Sequence, residues 1–107
     1  MKRIILLLVL AFMSAFAEAK PKPSKYYELR IYYCHEGRLP NLLARFREHT
    51  TKIFEKHGME NIAYWTPTTE GNNVLDYVLG YPSKEARDAS WKAFGADPEW
   101  KEVAKKS

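Results

Sequence analysis

The 107-residue chain has a single cysteine, Cys34, so an internal disulfide is excluded. Its five glycines never gather into a phosphate-cradling loop. No Cys/His grouping has the spacing of a structural zinc site, and no metal centre is expected. No Ser/His/Asp arrangement and no pair of carboxylates can be assigned to catalysis. Hydrophobic runs long enough to span a membrane are missing too. The longest, Ile4 to Met13, is about half the ~20 residues a spanning helix needs.

That short run has a meaning of its own. Lys2 and Arg3 precede it, and two overlapping small-residue patterns follow, Ala15-Phe16-Ala17 and Ala17-Glu18-Ala19. Together these predict a secretory signal peptide over 1–19, and hence an exported protein, periplasmic or secreted, with no membrane anchor after cleavage. Cleavage leaves about 88 residues, one domain of marginal self-sufficiency. Without disulfide or metal, a second copy of the chain is the simplest stabiliser, and a homodimer is expected.

The formal charge of +4 falls to +3 once Lys2, Arg3 and Glu18 are removed. The remaining lysines cluster at the ends: Lys20, Lys22 and Lys25, then Lys101, Lys105 and Lys106. They do not form a basic stripe with interleaved aromatics, so no nucleic-acid partner is expected.

Residues 20–25, with Pro21 and Pro23, read as a flexible lead-in to a domain over 26–107. Tyr26 to Cys34 alternates at period two and predicts a strand. Leu39 to His57 carries apolar residues at helical spacing, with Pro40 in the first turn and Gly58 at the C-terminal cap. Met59 to Thr66 and Val74 to Tyr81 predict a hairpin around Glu70-Gly71-Asn72-Asn73. Ser83 opens a helix over Lys84 to Phe94 that Gly95 ends, and Asp97-Pro98 opens a last short helix. The order β-α-β-β-α-α is an α+β, ferredoxin-like plan with no candidate for the usual fourth strand.

Several motifs then resemble the NIPSNAP family. They are Tyr27-Glu28-Leu29-Arg30, Gly37-Arg38-Leu39-Pro40, Lys56-His57-Gly58, Ala63-Tyr64-Trp65, Asn73-Val74, Tyr81-x-Ser83-x-Glu85-x-Arg87 and Asp97-Pro98-Glu99-Trp100. The resemblance implies a dimeric α+β barrel, in which two sheets meet face to face. It also implies a fourth strand beside the first. Relatives in that superfamily include antibiotic-biosynthesis monooxygenases and haem-degrading oxygenases. The NIPSNAP branch has no settled catalytic motif, so no catalytic residue is carried over, and many of its members are mitochondrial or cytosolic.

Candidate site residues follow from the strand pattern. If the helices cover the Leu29/Ile31 side of the first strand, Glu28, Arg30, Tyr32 and Asp76 line the dimer cavity. There Arg30 would pair with Glu28 or Asp76, or hold an anionic ligand. Tyr64, Trp65, Tyr77 and Tyr81 suit an apolar pocket, a core or a dimer interface. His57 sits at a helix C-terminus, where its charge favours the dipole, and is also a candidate ligand or acid/base group. His49 and His57 are too far apart to share a metal. The expected function is a dimeric module that binds a small apolar or anionic ligand or a partner, with no cofactor. The alternative is a cofactor-free or haem-linked monooxygenase.

Overall fold

β1 (Tyr26–Tyr33), β2 (Glu60–Trp65) and β3 (Val74–Tyr81) form an antiparallel sheet in the order β1-β3-β2. They belong to a computed structural model that describes residues 22–69 and 71–106; the leader expected over 1–19 lies outside them. The central position of β3 explains its burial, because it is paired on both edges. Leu29 stands opposite Val78, and Ile31 opposite Asp76. On the other side Tyr64 stands opposite Tyr77, and Trp65 opposite Asp76. A register shift between Asn61 and Ala63 bulges β2.

The long amphipathic segment is helical as expected, but not uniformly α. α1 (Leu39–Arg45) runs into a π-helical turn (Phe46–Thr50) and then α2 (Thr51–Lys56). The wider turn buries both Phe46 and Thr50, and the Thr50 hydroxyl donates to the Arg45 carbonyl at 3.4 Å. Gly58 closes the helix at φ +77°, a left-handed conformation that costs glycine little. Its N–H donates to the Glu55 carbonyl and that of Met59 to the Phe54 carbonyl, both at 3.0 Å, which completes a Schellman cap.

α3 (Lys84–Ala96) starts where Ser83 Oγ accepts from the Ala86 N–H at 3.0 Å. It runs through Gly95 instead of ending there, because the break comes at Asp97, whose backbone is extended. α4 (Pro98–Lys106) follows at once, and Asp97 Oδ1 accepts from the Glu99 N–H at 2.8 Å. None of the described helices is long and apolar enough to cross a membrane.

The helices lie on one sheet face and are covered there by Leu75, Tyr77, Leu79 and Tyr81 of β3, all buried. Phe46, Ile53, Phe54 and Met59 from the long helix and its cap, with Phe94 from α3, complete the core. Aromatic rings dominate it: Tyr77 stacks on Tyr64 at 5.2 Å and meets Phe46 edge-on at 5.1 Å. The lead-in is tied down at two points, Lys25 N–H to the Tyr81 carbonyl at 2.8 Å and Ser24 Oγ to Glu60.

Candidate functional site

The helices cover the opposite side of β1 from the one its pattern suggests. Glu28, Arg30 and Tyr32 point under the helices, while Tyr27, Leu29, Ile31 and Tyr33 point away from them. The expectation that Glu28, Arg30 and Tyr32 line an open cavity is therefore corrected. Asp76 parts company with them: it stands opposite Ile31 and Trp65, in the middle of the uncovered face. That face is largely apolar. Tyr33 is 80% exposed, Leu29 59% and Tyr27 58%, and Ile31, Ile62 and Trp65 are exposed as well.

The polar half of β1 survives burial because its groups satisfy one another. Glu28 Oε1 accepts from Tyr81 Oη at 2.8 Å and from Trp91 Nε1 at 2.9 Å. Its Oε2 accepts from Arg30 at 3.3 Å and from Arg87, through Nε at 3.1 Å and also through Nη2. Arg30 Nε donates to Tyr77 Oη at 3.1 Å and Nη2 to Tyr32 Oη at 3.4 Å. The Arg30 guanidinium also lies 4.3 Å from the Trp91 ring centroid. Burial pushes the Glu28 carboxyl upward, but hydrogen bonds from Arg87, Tyr81 and Trp91 and the charge of Arg30 outweigh it, and its pKa is lowered. Burial opposes the Arg30 charge, yet Tyr32 and Tyr77 more than offset this and raise it. Burial raises Tyr64 and Tyr77 far above the usual tyrosine value, and raises Tyr81 with help from Glu28, so all three stay neutral.

A second cluster pins the end of the long helix. His57 Nε2 lies 2.6 Å from Asp97 Oδ2, and Lys56 Nζ lies 2.8 Å from the same oxygen. The Asp97 side chain is only 3% exposed, and Lys56 and then His57 hold its carboxyl far below the usual aspartate range. His57 is thus placed in the helix layer, away from the open face. Tyr64 is there too, donating to Asn61 Oδ1, while Asn61 Nδ2 donates to the Thr51 carbonyl at 3.0 Å.

The NIPSNAP family model matches residues 27–107. The chain belongs to the NIPSNAP family. Solved structures agree on the fold. A NIPSNAP family protein of unknown function from Agrobacterium tumefaciens superposes with a TM-score of 0.68 at 24% identity, covering 75% of this chain and 72% of that one. An uncharacterised NIPSNAP domain protein from Burkholderia xenovorans gives 0.66 at 21% identity, covering 75% and 78%. A NIPSNAP-like domain protein from the same organism gives 0.67 at 24%, covering 75% and 69%. No curated protein matches the chain.

Within this NIPSNAP domain, the expected site residues divide in three. Asp76 and Trp65 share the uncovered face; Glu28, Arg30, Tyr32 and Tyr64 are packed under the helices; His57 holds Asp97. Arg87 and Trp91, which complete the Glu28 network, were missed as site residues. Their i,i+4 spacing on α3 was the available signal, since it puts both on one side of that helix. A cleft between the end of β1 and the start of the long helix was not anticipated either.

Proposed function

We propose that this NIPSNAP domain is a non-enzymatic binding module that dimerises through its uncovered sheet face and encloses a small apolar or aromatic ligand there. The observation that carries this reading is the exposure of Tyr27, Leu29, Ile31, Tyr33, Ile62 and Trp65 on one face. A contiguous apolar surface of this kind marks an interaction site. Two copies meeting face to face would bury the same patch on each, as a twofold interface requires. Asp76, between Ile31 and Trp65, would then be a polar contact for ligand or partner, since a buried carboxylate needs one. The composition of residues 1–19 supports export, and we include it in the proposal.

A haem-linked oxygenase finds less support. His57 is the histidine considered for such a role, and its bond to Asp97 at 2.6 Å places it in the helix layer, away from the uncovered face where a ligand would be enclosed.

Analytical ultracentrifugation at tens of micromolar tests the reading. The protein should sediment as a dimer, and Leu29→Glu, a change at an exposed position, should sediment as a folded monomer. A wild-type protein that is a folded monomer at that concentration would overturn the proposal.

A further inference from the structure

A cleft of about 510 Å³ lies between the last residues of β1, the turn after it and the first turns of the long helix. It takes in Tyr32 from the helix side of β1 and Ile31 and Tyr33 from the other side, so it wraps the edge of β1 that does not pair with β3. Its size is in the range of small-molecule sites.

The lining is chemically one-sided. Arg38, Asn41, Leu42 and Arg45 follow one another at i, i+3, i+4 and i+7, the spacing that puts side chains on one side of a helix. They bring two guanidiniums and an amide to one wall, with Leu42 between them. His35 lines the cleft as well, and no carboxylate does. Arg38, Asn41 and Arg45 also line an adjoining, smaller cleft, together with Glu48, Glu102 and Lys106. Arg45 is held in place: its guanidinium lies 5.2 Å from the Trp100 ring centroid and 5.6 Å from that of Phe46. The opposite wall, Ile31 and Tyr33, is apolar.

We propose that this cleft binds a small carboxylate bearing an apolar tail, with Arg38 and Arg45 holding the anion and Ile31, Tyr33 and Leu42 holding the tail. Arginine suits the anion because its planar fork matches a carboxylate. Ile31 and Tyr33 also belong to the uncovered face proposed as the dimer interface, so the cleft borders that interface, but octanoate binding and sedimentation are read independently. The two proposals fail separately.

Titrating the protein with octanoate, followed by calorimetry, tests the assignment. Octanoate should bind saturably and at least about tenfold more tightly than octanol, because the anion is what the arginines recognise. Arg38→Gln should weaken octanoate about tenfold and leave the sedimentation of the protein unchanged. Arg45→Gln should weaken it similarly; if that variant does not fold, the exposed Arg38 decides alone. Octanol binding as tightly as octanoate, or unchanged affinity in Arg38→Gln, would overturn the site. Inorganic phosphate binding as well as octanoate would overturn the apolar half of it.

Discussion

Glu28 sits where a carboxylate is costly, yet four side chains donate to it: Arg30, Tyr81, Arg87 and Trp91. Glutamine in its place carries no charge and turns one of the two acceptor oxygens into an N–H donor facing other donors, and it does so under the helix layer. Glu28→Gln should therefore destabilise the fold by about 2–3 kcal/mol, below the ~3–5 kcal/mol of a fully buried pair, because Arg30 and Arg87 retain some contact with water. Urea unfolding of both proteins checks this. A loss under ~0.5 kcal/mol would mean that the network is no more than a surface ion pair. Glu28 and Arg30 were legible in the sequence as a pair, two residues apart on one strand. What they faced was not, because Tyr77 and Tyr81 lie about fifty residues away in the chain.

Among the elements, the long helix shows most directly how local sequence sets its own ends. Pro40 fits the first turn because its missing N–H has no partner there anyway. Gly58 ends the helix because the next backbone step needs positive φ. A methyl at Gly58 would meet Ser90 Oγ no closer than 3.9 Å, so the cost of Gly58→Ala is conformational and not steric crowding. It should lower stability by about 1 kcal/mol, read as a drop in the thermal midpoint. An unchanged midpoint would mean that the cap relaxes out of the left-handed region. The π-helical turn at Phe46–Thr50 had no sequence signal, since its residues continue the same amphipathic period. Gly95 misled in the other direction. It resembles a helix stop, but α3 continues one residue further and stops where Asp97 takes an extended backbone to cap α4.

For the whole molecule, two depressed carboxyls that are largely shielded from water link folding to pH. Asp97, held by Lys56 and His57, and Glu28, held by hydrogen bonds that outweigh its burial, both have folded-state values below their ordinary ones. A group lowered by folding contributes stability that is full above its unfolded pKa, near 4, and is lost as pH falls through the folded value. Thermal midpoints should thus be flat from pH 7 to about 5 and fall steadily below about 4. Asp97→Asn should reduce that acid slope. A midpoint that does not change between pH 7 and 3 would show that these pairs do not couple to folding. Asp97 also joins the C-terminal end of α2 to the α3–α4 corner, so the acid transition should be cooperative across the helix layer.

The order of strands and helices followed from the sequence alone, because period-two alternation, helical spacing, caps and turn residues are local signals that neighbours in the chain supply. The face of β1 that the helices cover was decided only in three dimensions. Alternation splits Glu28, Arg30 and Tyr32 from Leu29 and Ile31 but does not say which set goes inside, and hydrophobicity favours Leu29 and Ile31. The choice went the other way because distant residues, Arg87 and Trp91 on α3 and Tyr77 and Tyr81 on β3, satisfy the polar set once it is buried. That left the apolar set exposed on the uncovered sheet face.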